Sequence, residues 1–178
     1  MDWLDIKEFF KDTIHYIIII AVILVIALYV LTLQQVVGPS MQTTLMNGDV
    51  VLLDRLTSRY LSIKKNDVIA FYDENSKYLI KRVIGLPGDT VEIKDNVLYV
   101  NGNVVNEPYL DQGVVTSNFE LQSLGYDQVQ KDMYFVLGDN RENSMDSRDK
   151  RVGLVPRKDI IGKVRVRIWP INKFKVVR

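Results

Sequence analysis

From Ile14 to Leu33 the chain runs for twenty residues with no formal charge apart from the protonatable His15. At about 1.5 Å of rise per residue, a helix of this length just crosses a hydrocarbon core of about 30 Å. The sequence therefore predicts a transmembrane anchor over 14–33. Ahead of it, residues 1–13 mix Trp3, Ile6, Phe9 and Phe10 with Asp2, Asp5, Lys7, Glu8, Lys11 and Asp12, as in a short amphipathic helix. A cleavable signal peptide is disfavoured, because the apolar run exceeds a usual h-region of about 7–15 residues and Gln34-Gln35-Val36-Val37-Gly38-Pro39 has no small-x-small cleavage site. Sidedness stays open at this level. The N-terminus is acidic, and the first basic residues after the span, Arg55 and Arg59, are far from it.

Residues 34–178 change to short β-like runs separated by turn residues, which reads as one antiparallel β domain. Strands are predicted at Val50–Leu53, Val68–Tyr72, Tyr78–Ile84, Val91–Ile93, Val97–Val100, Met133–Leu137 and Val164–Trp169. Asn101-Gly102 before Val104 is a type I′ hairpin signal. In the last strand Val164, Val166 and Ile168 fall on one face and Arg165 and Arg167 on the other. Residues 106–131, with Pro108, Gly113 and Gly125, are loop-rich and read as an insertion or a flap. The fold class is thus mainly β, with a single N-terminal transmembrane helix followed by an antiparallel β-sheet domain.

Cysteine is absent, which removes disulfides, thiol nucleophiles and cysteine metal sites. With His15 as the one histidine, a histidine-based metal centre is disfavoured too. A net charge of +1 argues against a general nucleic-acid binder.

Three stretches carry possible chemistry. In Leu79-Ile80-Lys81-Arg82-Val83-Ile84 two cations interrupt an apolar strand, so either face that is buried takes a charge with it. Buried Lys can lose its proton and become a base, whereas Arg stays charged and must find an anion. An edge strand whose cations reach water is the plain alternative. In Gly38-Pro39-Ser40-Met41-Gln42-Thr43-Thr44-Leu45 a tight turn would present a serine hydroxyl and its N–H, although Ser after Gly-Pro is commonly just a turn residue. A Ser/His/Asp triad within one chain is excluded, since His15 and Ser40 lie at opposite ends of a helix about 30 Å long, so a serine hydrolase here would need the Ser/Lys variant, for which Lys81 in its apolar strand is the candidate. The third stretch, from Leu137 to Arg148, is either a solvated loop or the source of a hydroxyl that orients the lysine and of a carboxylate, Asp146, that neutralises Arg82 or Arg148.

Anchor, GPSMQTTL, GDVVLLDR, KRVIGLPGD and GDNRENSMDSR, in this order, make nearly the whole chain resemble the type I signal peptidases, most closely the short enzymes of Gram-positive bacteria. The resemblance implies a membrane-anchored serine endopeptidase that removes signal peptides from exported preproteins at the outer face of the cell membrane. It assigns the nucleophile to Ser40, the general base to Lys81, the lysine-orienting hydroxyl to Ser144, and an ion-pair framework to Arg82, Asp146 and Arg148. It further implies a cytoplasmic N-terminus, an extracytoplasmic catalytic domain, no metal or cofactor, and signal-peptide-bearing preproteins and the lipid bilayer as partners. Substrates of the family carry small residues one and three positions before the cleaved bond. Two departures stand out: Thr43 occupies a position where the family usually has Pro, and Gly38 one where some members have Ser. A non-catalytic, membrane-tethered β module, or a degenerate homologue that binds exported chains, is the alternative. A self-cleaving repressor would share the Ser/Lys logic but would need a DNA-binding segment in place of the span.

Arg157 to Arg178 holds eight Lys or Arg against the single carboxylate of Asp159. It reads either as an outer strand with solvated cations, or as a surface on which Arg165, Arg167, Lys173, Lys175 and Trp169 meet anionic head groups.

Overall fold

The computed structural model describes residues 3–60, 62–74 and 76–177, with side chains for all of these except 3–9, 26–29 and 57–59. The amphipathic pattern expected of Asp2 to Phe9, and the cations of Arg59 and Arg178, lie outside the described residues and side chains.

Trp3–Val30 form one helix, α1. It stops three residues short of the predicted span: Leu31–Gln35 are strand β1, paired antiparallel with β2, Val50–Asp54. The reason is local competition, since Val50–Asp54 offers Leu31–Gln35 a full ladder of interstrand hydrogen bonds that the helix would have to forgo. Among the described residues no helix is long and apolar enough to cross a membrane.

Strand β2 leads into a short helix α2, Arg55–Tyr60, then β3, Val68–Tyr72, and β4, Tyr78–Gly85. Next come β5, Val91–Lys94, β6, Val97–Val100, and β7, Asn103–Val104. β8, Phe119–Glu120, is followed by β9, Met133–Leu137, β10, Val155–Pro156, β11, Ile160–Trp169, and β12, Lys175–Val176. The larger sheet runs β1-β2-β11-β3-β4-β9-β10, with β12 attached to β11, and the smaller one runs β7-β6-β5-β8. Every pairing is antiparallel.

Asn101 and Gly102 take φ of 53° and 72°, the double left-handed turn that joins β6 to β7. Asp95 and Asn96 make the same kind of turn between β5 and β6, with φ of 49° and 66°. The loop-rich stretch over 106–131 is built in rather than appended. Phe119 pairs with Ile93 as part of the smaller sheet, and Phe119, Leu121 and Val129 share a core with Phe135 and Leu137 of β9.

Strand β4 is central, between β3 and β9, and it is buried on both faces. Leu79 and Val83 pack with Ile69, Phe71 and Val136, while Ile80 packs with Val68, Ala70 and Leu53. No water-facing side remains for its cations, so Lys81 is 1% and Arg82 0% exposed. The edge-strand alternative is thereby excluded.

The alternation expected of the last strand fails at Arg167. Register shifts between Val164 and Val166, and again between Arg167 and Trp169, swap the faces. Arg167 therefore turns inward beside Val51 and donates to Asp49 Oδ2 at 3.0 Å and to the main-chain O of Lys173 at 2.8 Å. Arg165 is held by Asp54 at 2.7 Å. Two of the four cations expected to meet solvent or lipid are thus engaged by carboxylates of the domain itself, whereas Lys173, Lys175 and Trp169 are exposed.

Candidate active site

Ser40 lies in a run of turns between β1 and β2. The turn is entered through Gly38 at φ +90°, a conformation that side chains other than glycine adopt only under strain, so a Ser at this position would not be easily accommodated. Asn47 Oδ1 accepts from the Gly38 N–H at 2.9 Å. Beyond Ser40, Met41 and Leu45 are driven into the core, 1% and 0% exposed, and they anchor the downstream side of the loop. Asn140 holds the upstream side: its N–H donates to Ser40 O at 3.0 Å and its Nδ2 to Pro39 O at 3.2 Å.

Lys81 reaches this turn from β4. Its Nζ donates to Ser40 Oγ at 2.7 Å and to Ile80 O at 3.1 Å. Burial pushes its pKa down from 10.5 to about 8, against the opposing charges of Asp146 and Asp139 and with some help from Lys77. A lysine in this state gives up its proton within reach of neutral pH. Among the described residues the Ser40 N–H donates to no protein acceptor. It is available to an incoming oxyanion.

Ser144 lies against Gly138 rather than on Lys81. Its buried Oγ has no hydrogen-bond partner, and the hydrogen bond to Lys81 that the resemblance implies is not formed. Ser144 Oγ, Ser144 Cβ and Ser40 O crowd the position that a side chain on Gly138 would occupy, at 2.1, 2.5 and 2.5 Å. Glycine is needed at 138 because three chain segments converge there.

Of the two partners left open for Asp146 by the sequence, the structure selects Arg148. Asp146 takes Arg148, with Nε at 2.9 Å and Nη2 at 2.9 Å, and accepts the Gly138 N–H at 3.0 Å. Arg82 instead goes to Asp139, through Nε at 2.9 Å and Nη2 at 2.7 Å, with Nη1 donating to Asn66 O. Thr44 Oγ1 also donates to Asp139 Oδ2, at 2.5 Å. A third pair was not foreseen. Buried Arg141 is gripped by both oxygens of Glu107 and donates through Nε to Gly138 O at 3.1 Å. Tyr109 lies over the Arg82 guanidinium, 3.9 Å from ring centroid to Cζ, and its hydroxyl donates to Glu107 at 2.6 Å. Burial, then the charge of Glu107, raises the Tyr109 pKa well above its usual value, so it remains a donor.

Asp139, Asn140 and Arg141 sit within the third stretch, where their turn-forming character masks a buried role. Glu107 and Tyr109 carry no local signal at all. Among the described residues no group of His, Asp or Glu is arranged to hold a metal ion.

A serine hydroxyl hydrogen-bonded to a buried lysine, on an antiparallel β scaffold, is the arrangement that emerges. The signal peptidase family, peptidase S26, matches residues 6–169. Signal peptidase IB of Staphylococcus aureus is 36% identical over 181 residues, covering 93% of this chain and 94% of the relative. Signal peptidase I of Bacillus caldolyticus is 38% identical over 163 residues, covering 87% and 88%. The crystal structure of a signal peptidase I from Enterococcus faecalis superposes with a TM-score of 0.52 at 37% identity, covering 57% of this chain and 96% of that one. The chain belongs to the signal peptidase family, as a type I signal peptidase.

Proposed function

We propose that the protein is a serine endopeptidase that removes signal peptides from exported preproteins, with Ser40 as nucleophile and Lys81 as general base. The observation that carries this reading is the 2.7 Å contact between Nζ of the buried Lys81 and Ser40 Oγ. Neutral Lys81 takes the Ser40 proton as Oγ attacks the scissile carbonyl carbon. The oxyanion is received by the Ser40 N–H. The carbon–nitrogen bond then breaks, with the lysine proton passing to the leaving amine, and Lys81 activates the water that hydrolyses the acyl-enzyme. Asp139, Asp146, Arg82 and Arg148 form the frame that fixes these groups, and Ser144 packs beneath the turn. No metal or cofactor enters any step.

Membrane anchoring through α1 is part of the same proposal, with the N-terminus cytoplasmic and residues 34–178 extracytoplasmic. It is supported by side chains on all sides of the helix: Ile14, Ile17, Ile18, Ile19, Ile20 and Ile23 are each more than half exposed. An exposed helix that is apolar all round calls for a non-aqueous surrounding. Ser40 follows Val30 by ten residues, a reach of at most about 35 Å, so such an anchor would hold the nucleophile close to the bilayer. There it meets the apolar segment of a signal peptide.

The test is cleavage of a signal-peptide-bearing precursor by the full-length protein in detergent. Cleavage at a site preceded by small residues, lost in Ser40→Ala, supports the reading. Absence of both cleavage and labelling by a serine acylating agent favours the non-catalytic binding module instead.

A further inference from the structure

Thr43 has a backbone that its side chain disfavours. Its φ is +88°, a left-handed conformation in which a β-branched residue is an outlier and which proline, fixed near −65°, cannot reach. The difference from the proline usual in the family is therefore a different turn rather than a loosened copy of the same one. Such a conformation persists only where the surroundings over-determine it. The N–H groups of Thr44 and Leu45 close the turn on Met41 O, and the Thr43 side chain itself adds a long-range hydrogen bond, from Oγ1 to the main-chain O of Tyr109 at 3.0 Å.

Tyr109 is itself tightly held. Its ring covers Arg82, next in sequence to Lys81, and its hydroxyl is fixed by Glu107, which is locked to Arg141. Arg141 in turn donates to the carbonyl of Gly138, the residue packed against Ser40 O and Ser144. Residues 107–109 thus touch the turn that carries Ser40, the strand that carries Lys81 and the segment beneath both.

Resting on the Ser40/Lys81 reading, we infer that Thr43 is a positioning residue: its hydroxyl, tied to Tyr109, sets the placement of Ser40 against Lys81 in a turn that lacks proline. Thr43 is exposed and its hydroxyl bonds to Tyr109 rather than to either member of the dyad, so its effect passes through the backbone between residues 40 and 43.

The experiment compares full-length wild type, Thr43→Val and Thr43→Ser in detergent. Cleavage of a preprotein gives kcat and KM, and reaction with a serine acylating agent gives the acylation rate. Val keeps the branched shape without the hydroxyl. It should lower kcat and the acylation rate about three- to tenfold, the usual reach of one hydrogen bond, with KM within about twofold and a melting temperature lowered by no more than a few degrees. Ser restores the donor and should recover the rate. Tyr109→Leu keeps the main-chain acceptor but removes the ring and hydroxyl that hold it in place, so adding Thr43→Val to it should cost less than the same change does in the wild type. Wild-type rates in Thr43→Val, or full additivity with Tyr109→Leu, would overturn the inference while leaving the dyad intact. A wild-type chain that neither cleaves nor acylates overturns the dyad, and this inference with it.

Discussion

Arg82 and Asp139 face each other across two charge-assisted hydrogen bonds, at 2.9 and 2.7 Å, with side chains 1% and 0% exposed. They join the strand of the base to the segment beneath the nucleophile. Removal of one member leaves a buried charge uncompensated. Asp139→Ala should therefore destabilise the protein by about 3–5 kcal/mol, whereas a double replacement with apolar residues should cost much less. Thermal unfolding of the detergent-solubilised single and double variants separates the two outcomes. Equal melting temperatures for Asp139→Ala and wild type would show that the pair contributes nothing.

The rate should depend on pH through Lys81. With its pKa lowered to about 8, the base is mostly protonated at pH 6 and mostly free at pH 9. The kcat/KM for a precursor should rise about tenfold per pH unit below pH 8 and level off above it. Lys81→Arg cannot supply a neutral base and should be inactive across the range. His15 lies in α1, bonded to Lys11 O, and His15→Ala should reproduce the wild-type profile.

The same shift makes a stability prediction of definite sign. Below pH 8 the lysine is protonated both folded and unfolded, and the folded state bears the full cost of the buried charge. Between about 8 and 10.5 the folded protein has released the proton while the unfolded chain still holds it. The unfolded state then binds more protons, so stability rises with pH through this window. Lys81→Met should abolish that rise and be more stable than wild type at pH 7 by up to about 3 kcal/mol. Denaturant unfolding of both proteins at pH 7 and pH 10 checks this, and parallel pH dependences would refute it.

At Gly138 any side chain meets Ser144 and the Ser40 carbonyl at once. Gly138→Ala should suppress acylation of Ser40 by at least about a hundredfold, as expected when a reacting group is displaced by about 1 Å. Adding Ser144→Gly removes the flexible neighbour but not the backbone oxygen at 2.5 Å, so activity should not return. Recovery in the double variant would place the whole conflict at Ser144.

Much of this architecture is legible in the chain because its determinants are local. Period-two alternation marks the strands, and Asn101-Gly102 marks a turn that needs two left-handed residues. Two cations in an apolar strand mark Lys81 and Arg82 as either buried or edge-exposed, and only the central place of β4 decides between the two. The helix end at Val30 was not legible, since it depends on β2 pairing with Leu31–Gln35. The inward turn of Arg167 was likewise hidden, because register shifts against β2 reverse the alternation.

What the sequence by itself determined is the repertoire: a serine in a tight turn, a lysine that burial can neutralise, and arginines that need anions once they are buried. The partners were decided only by the tertiary structure. Asp139 and Asp146 are seven residues apart in one polar stretch, and nothing local tells which takes Arg82 and which Arg148. Glu107 and Tyr109 reach the site across 34 and 66 residues, to Arg141 and to Thr43. Charge pairing is satisfied by whichever group the packed strands bring within about 3 Å, and that proximity is a property of the assembled sheets rather than of any segment within them.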